Sequence, residues 1–435
     1  MSINKEILRL AIPNILSNIS IPLLSTVDTV LVGNLSASHI GAVGLGAMIF
    51  NFIYWNFGFL RMGTTGLTAQ SFGKSDDIAI TETLSRALIL ALILALIILL
   101  LQSPLLSLLS WFLNVDGSVQ TFVNEYFFTR VWAAPATFML YGLLGWYFGM
   151  QNAIIPLILT LIINVANIIV SWVLVKHFNM DVKGVALGTV VAQYLGLLFA
   201  FLFLFTKYRK YMTLLNFKIL DKLAGLKTFL KINTNIFIRT MCLTIAFGFF
   251  YSISAKSGAA ILASNVILLQ FTNWMSYGID GFAYASESLV GKYYGAKDAT
   301  RLKKSIQYSL VWGFVLALIY SFCYYFFGFE LLSVFTNQMD VIETAGHYLS
   351  WMAILPIVGF GSYIWDGVFI GFTAGKAMRN SMLISLGAYI LSFYIFKNNL
   401  DAINALWLSL SIFLLVRGFV QTYMYLFKEK YLVTD

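Results

Sequence analysis

Charge is scarce in this sequence. Of 435 residues only 11% are Asp, Glu, Lys or Arg, well under the roughly 25% usual for a soluble domain. Cysteine occurs twice, at Cys242 and Cys323, each in an apolar stretch, which offers neither a disulfide framework nor a thiolate metal cluster. His39, His177 and His347 are scattered without ligand spacing, so no metal site is expected. No run alternates apolar and polar residues with a period of two, which excludes a membrane β-barrel. Gly73-Lys74-Ser75 ends like a phosphate-binding loop, yet Thr68 stands where that loop needs its first glycine. A Gly-x-Ser-x-Gly elbow is also missing. Asp76-Asp77 lacks the second acidic cluster of a metal–diphosphate enzyme and reads as a solvated turn. An enzyme has no residues to stand on here, and no cofactor is implied.

Apolar residues fill the gap. They make up 60% of the chain, with 16% aromatic and a mean hydropathy of +0.83. Runs of about 20 such residues cross roughly 30 Å of hydrocarbon at 1.5 Å per residue. Twelve fall between charged or Gly/Asn-rich breaks, near 7–32, 40–70, 83–110, 121–149, 153–175, 184–206, 228–254, 259–285, 303–327, 345–372, 377–396 and 402–427. In lipid every backbone polar group needs an internal partner, so these spans are helices and the fold is an all-α integral membrane bundle. Lys5 and Arg9 precede the first run as in a signal peptide, but no small-residue cleavage site follows, so it reads as a retained helix.

Orientation follows from the basic residues. With the N-terminus cytoplasmic, twenty of the 28 Lys and Arg fall inside, among them Lys207, Arg209, Lys210, Lys218, Lys222, Lys227 and Lys231. Outside loops hold only Lys176, Lys183, Lys256 and Lys397. The net charge of +9 therefore reflects topology and not nucleic-acid binding. Both termini are expected inside, in a multi-pass protein of the inner (cytoplasmic) membrane.

The chain repeats itself. Gly66-Leu-Thr-Ala-Gln-Ser-Phe-Gly-Lys-Ser-Asp76 closes the second span and Ser288-Leu-Val-Gly-Lys-Tyr-Tyr-Gly-Ala-Lys-Asp298 the eighth, an offset of 222. Leu144-Gly145-Trp-Tyr-Phe-Gly149 matches Asp366-Gly367-Val-Phe-Ile-Gly371 at the same offset, as does Tyr126 with Tyr348, while Pro135 and Pro356 miss it by one. Two pseudo-symmetric six-helix lobes are implied, residues 1–206 and 228–435, joined by a basic linker over 207–227. Six spans return the chain to the same side, so the repeats are parallel about an axis along the membrane normal, the arrangement of rocking transporters.

An ionisable side chain inside a span costs at least ~2.5–3.5 kcal/mol, so each needs a reason. Asp28, Arg61, Arg130, Arg239, Asp280, Glu287, Asp366 and Arg417 qualify. Asp28, Ser171 and Thr189 each lie five residues from an outer boundary, about 7–8 Å deep by helix rise. Asn164, Asn167 and Ser171 form one stripe on the fifth span. A carboxylate, amides and hydroxyls meeting there can hold a proton or a small hard cation. Alternatively, Asn164 and Asn167 bond neighbouring helices. In the second half, Arg239, Asp280 and Asp366 read as a charge network, either a brace or a second coupling site. Glu287 reads as a solvated end. Met48, Tyr54, Trp55, Tyr141, Trp274 and Met275 would suit a cavity for flat organic cations, although packing is the commoner role for any one of them.

These residues carry a resemblance. Ala11-Ile12-Pro13 with Val27-Asp28-Thr29 and Val32-Gly33 is similar to the first helix of multidrug and toxic compound extrusion (MATE) transporters. Arg61-Met-Gly-Thr-Thr-Gly-Leu-Thr-Ala-Gln70, Arg239-Thr-Met-Cys-Leu243, Ser276-Tyr-Gly-Ile-Asp-Gly-Phe-Ala283 and Asp366-Gly-Val-Phe-Ile-Gly371 with Met378-Arg-Asn-Ser-Met382 resemble its DinF branch. The likeness spans nearly the whole chain. It implies a MATE-like fold of the MOP superfamily and an antiporter that exports small organic, often cationic or amphiphilic, compounds while protons or sodium ions run inward. The chain is expected to act as a monomer in the bilayer, and protons are the favoured coupling ion. The resemblance also implies a coupling site of Asp28, Asn167 and Thr189, and it departs at Ser171, where many relatives carry a second aspartate. With Pro13 and Pro22 as hinges, protonation of Asp28 would bend the first helix. The same superfamily includes lipid-linked saccharide flippases, for which a wide cationic cavity is expected instead.

The orientation is testable by thiol labelling. In intact cells an impermeant maleimide is expected to modify a Lys256→Cys variant and to leave Lys304→Cys unmodified until the membrane is opened; the reverse pattern would invert the topology.

Overall fold

The computed structural model describes residues 2–32, 37–112, 117–213 and 223–427, with the side chains of 21–32, 37, 38, 112, 118, 223 and 224 outside the description. Lys218 and Lys222 of the basic linker lie outside it as well. No strand occurs among the described residues. Helices run α1 (Ile3–Val32), α2 (Ala37–Asn56), α3 (Phe59–Gly73), α4 (Asp77–Leu100), α5 (Gln102–Phe112), α6 (Gly117–Arg130), α7 (Ala134–Gly149), α8 (Ile154–Lys176), α9 (Asp181–Lys207) and the short α10 (Arg209–Met212). They continue as α11 (Leu223–Lys256), α12 (Ala259–Gly295), α13 (Ala299–Phe335), α14 (Met339–Gly346), α15 (Leu349–Gly371), α16 (Gly375–Phe396) and α17 (Ala402–Phe427).

Each of the twelve expected spans falls on a helix or on a broken pair. The second span is interrupted between α2 and α3, where Phe57 and Gly58 form a turn. The fourth breaks at a 3₁₀ turn over Val131–Ala133, just ahead of Pro135 at the start of α7. Pro356, by contrast, lies inside the unbroken α15, and α1 likewise continues through Pro13 and Pro22. Several helices outrun the hydrocarbon: α12 reaches Gly295 and α13 Phe335, the latter with a non-helical residue at Phe327 (φ −118°, ψ 15°).

Two compact units emerge. One consists of residues 16–229, the other of 1–15 with 230–435. They are called here the first and second lobes. Helices α1 and α11 are therefore each divided, with the opening turns of each belonging to the opposite lobe from the rest of the helix.

The repeat is visible as packing inside each lobe. In the first, Gly145 of α7 lies so close to α3 that a Cβ there would stand 2.3 Å from the Arg61 carbonyl oxygen. In the second, Gly367 of α15 would place its Cβ 2.1 Å from the carbonyl oxygen of Ala283 on α12. Both partners differ by the same 222 residues. One turn on, Gly149 abuts Thr68 and Ala69, and Gly371 abuts Val290 and Gly291, again at that offset. Small residues let membrane helices approach to backbone contact, where dispersion replaces the hydrophobic drive that lipid cannot supply.

Turns repeat too. Ser75 and Lys297 both take φ of +56°, and the following Asp76 and Asp298 cap α4 and α13, accepting from Ala79 N and Arg301 N at 2.9 Å each. Gln151 and Thr373, also 222 apart, occupy the left-handed region at φ of 61° and 56°.

Because the crossings leave no room, Gly145→Ala and Gly367→Ala are each expected to destabilise their lobe by about 1–3 kcal/mol through overpacking. Gly387→Ala, which meets nothing within 4 Å inside α16, should melt at or slightly above the wild type. Thermal unfolding of detergent-solubilised protein compares the three.

Candidate functional site

In the first lobe α8 and α9 meet along a seam of small residues. Gly184, Gly188, Ala192, Gly196 and Ala200 recur every fourth position of α9, and all are buried. A Cβ at Gly188 would lie 2.1 Å from Ser171 Oγ, and one at Gly196 would lie 2.4 Å from Ile163 Cγ1. The seam thus presses the polar stripe of α8 directly onto α9. Within it, Asn167 Nδ2 donates to Thr189 Oγ1 at 2.9 Å, and Thr189 Oγ1 donates to the Val185 carbonyl at 3.2 Å.

Ser171 is fully enclosed one turn beyond Asn167. Neither Ser171 Oγ nor Asn167 Oδ1 has a hydrogen-bond partner among the described residues. An unmatched buried polar atom costs about 1–3 kcal/mol, so two on adjacent turns of one helix mark a place with lone pairs to offer. Asn164 is half-buried and turned toward α1, where its Nδ2 donates to Ser20 Oγ at 3.0 Å. A turn earlier, Ser17 Oγ donates to Thr160 Oγ1 at 2.8 Å. The backbone of Asp28 belongs to α1, and its side chain lies outside the described residues.

The second lobe holds a different arrangement. Asp366 on α15 receives donors from two other helices: the guanidiniums of Arg239 (α11) and Arg417 (α17) both bond Oδ2. Gln421 Nε2 donates to Oδ1 at 2.7 Å and Arg417 Nε to Oδ1 at 3.3 Å. All four residues are buried. Asp280 on α12 is half-buried and close enough to act through space on Arg239 and on Tyr363, whose ring centroid lies 5.7 Å from the Arg417 guanidinium.

The sequence grouped Arg239, Asp280 and Asp366 but left Arg417 by itself and passed over Gln421. Their spacing of four on α17 was the available signal, since such a pair shares one helix face. A carboxylate so heavily donated to is well suited to fasten three helices together.

Glu287 requires a correction. Expected at a solvated end, it is 0% exposed, because α12 continues eight residues past it and Gly371 of α15 packs against its backbone. Among the aromatic and methionine residues, Met48 and Trp55 are exposed and Tyr141 is half-buried in the first lobe. Tyr54 stands edge-on to Phe138 at 5.6 Å. Nearby, Arg130 lies over the Phe50 and Tyr126 rings at 5.0 and 5.4 Å and donates to the Tyr126 hydroxyl. In the second lobe Trp274 is exposed and tilts on Phe335 at 5.4 Å, whereas Met275 is fully buried.

Comparison with known proteins bears on the fold and the family. The MatE family model matches twice, at residues 13–173 and 236–395, one match for each half of the repeat. DNA damage-inducible protein F of Escherichia coli (strain K12) is 35% identical over 96% of this chain and 91% of its own length. Multidrug and toxin extrusion protein 1 of Homo sapiens is 24% identical over 89% of this chain and 66% of its own. Among solved structures, MATE in the bent conformation superposes with a TM-score of 0.88 at 21% identity, covering 97% of this chain and 94% of that one. A MOP superfamily transporter from Pyrococcus furiosus, described as having a binding pocket of reversed polarity, gives 0.87 at 20% identity and covers 100% and 98%.

Removing Asp366 would leave two buried guanidiniums without their carboxylate. Asp366→Ala is expected to cost about 3–5 kcal/mol, whereas Asn167→Ala gives up a single neutral hydrogen bond worth about 1 kcal/mol. Melting curves of the two purified variants measure the contrast.

Proposed function

The chain belongs to the MatE family of membrane-spanning transporters, and from that premise we propose that it exports small organic cations or amphiphiles in exchange for an inward-moving cation. The observation that carries the reading is the pair of enclosed, unpartnered oxygens at Asn167 and Ser171 beside Thr189. They supply lone pairs where a carboxylic acid or a small hard ion can be held. Helix register supports a role for Asp28. The pairs Ser17–Thr160 and Ser20–Asn164 set α1 against α8 at offsets of 143 and 144 residues, and continuing both helices brings position 28 level with position 171.

Protons are the favoured coupling ion. With serine at position 171, the site offers one carboxylate and neutral oxygens, a weaker field for sodium than two carboxylates would provide. Protonation outside and release inside would then alternate the state of α1 and the access of substrate. The distribution of Lys and Arg supports cytoplasmic termini, and the inner membrane is the proposed location. Asp366, already met by four hydrogen bonds from three residues, serves in this reading as the brace of the second lobe. The aromatic surfaces around Tyr54 and Trp274 are the proposed contacts for flat cations.

The decisive experiment is dye efflux from a drug-sensitive host, with sodium omitted and then with a protonophore added. Sodium-independent, protonophore-sensitive efflux is expected, and Asp28→Asn in everted vesicles should lose at least about nine-tenths of the rate. Sodium-dependent efflux would change the ion; undiminished transport by Asp28→Asn would remove the mechanism; and no dye movement at all would favour a flippase.

A further inference from the structure

We propose that Glu6 is the positioning residue of a latch at the cytoplasmic start of α1, an ion pair with Lys292 that is made and broken within each transport cycle. The inference rests on the export reading above and concerns residues that the coupling site does not use.

The latch lies wholly within the second lobe, to which residues 1–15 belong. Glu6 is only 6% exposed, and its Oε2 accepts from Lys292 Nζ at 3.0 Å and from the Tyr293 hydroxyl at 2.6 Å. The Tyr293 ring is itself covered, with Lys292 Nζ 4.8 Å and the Arg301 guanidinium 5.9 Å from its centroid. Burial pushes the Glu6 carboxyl up, but the bonds from Tyr293 and Lys292 outweigh that and hold it below the usual carboxylate range. It therefore remains charged at cellular pH.

Behind the carboxylate, α1 is seated closely. A Cβ at Gly281 of α12 would stand 2.3 Å from Ile15 Cγ1 and 3.1 Å from the Ala11 carbonyl oxygen. Beyond residue 15 the same helix belongs to the first lobe, so whatever fixes its opening turns governs how the rest of it is free to move.

Two features make this a device and not ordinary packing. First, it breaks the repeat. At the offset of 222, Lys292 and Tyr293 correspond to Gln70 and Ser71, within motifs whose turns and caps otherwise match. Only the second copy carries the cation and phenol that a carboxylate on α1 requires. Second, the pair is reversible. Lys292 keeps 26% of its side chain exposed, and a partly solvated pair biases an equilibrium by at most about fivefold. That is enough to favour a seated α1 and little enough to be undone by substrate or a proton.

Hydrogen exchange followed by mass spectrometry tests the latch on the full-length protein in nanodiscs, with dye transport by proteoliposomes measured in parallel. Glu6→Gln and Lys292→Gln are each expected to speed amide exchange across residues 3–10 by about two- to fivefold while leaving residues 259–285 unchanged. The exchanged pair Glu6→Lys with Lys292→Glu should restore protection. In transport, Glu6→Gln should lower both the maximal rate and the half-saturating dye concentration, since a loosened α1 favours the substrate-accepting state. Lost packing alone would lower the rate in proportion to folded protein and leave half-saturation where it was. Unchanged exchange in both single variants, or unchanged half-saturation, overturns the proposal. A wild type that moves no dye defeats the export reading instead, and the exchange measurements still decide whether the latch exists.

Discussion

Backbone contact between α3 and α7, repeated between α12 and α15, is the constraint on which the remainder of each lobe depends. With Gly145 against the Arg61 carbonyl and Gly367 against that of Ala283, the two crossings fix helix separation and rotation together. Side chains farther along those helices have their directions set before any of their own contacts form. Asp366 immediately precedes Gly367, so the close crossing also sets the depth at which its carboxylate meets Arg239 and Arg417. The same logic governs α8 and α9, where Gly188 makes room for Ser171 and so decides which face of α8 turns inward.

Symmetry in this chain belongs to the scaffold, and asymmetry to the chemistry. Caps, left-handed turn residues and glycine crossings recur at 222 residues. Most of the site residues do not: Asn167 and Ser171 would map onto Tyr389 and Phe393, and Asp366 onto Leu144, although Thr189 keeps a hydroxyl counterpart at Ser411. One lobe has evolved an oxygen-lined seam with unpartnered atoms; the other has a carboxylate saturated by donors. Duplicated frames tolerate such divergence because backbone packing, which is indifferent to most side chains, does the holding.

Much of this was legible in the sequence. Span number, the repeat and its offset followed from hydropathy and motif spacing, because lipid leaves helices as the only open solution. The meeting of Asn167 with Thr189 was foreshadowed by the common depth of Ser171 and Thr189 and by the stripe that Asn167 shares with Ser171. What escaped was whatever depends on rotation about a helix axis or on where a helix stops. Glu287 read as solvated because the apolar run ends near 285, yet α12 continues to Gly295. Gln421 carried no charge to draw notice. Glu6 lay just outside the first apolar run, where a carboxylate looks unremarkable, and its partners stood 286 and 287 residues away.

The division of α1 between lobes has a consequence for how the protein is made. Residues 1–15 leave the ribosome well before the rest of the lobe they complete, which begins at residue 230. Until α12 and its Lys292 have been synthesised, the opening turns of α1 have no native seat and must wait in the translocon or bilayer beside helices of the wrong half. Chains are built at about 5–20 residues per second, so that wait lasts on the order of 15 s to a minute. The nascent protein thus carries an unfinished junction from the time residue 15 is made until residue 292 has followed it.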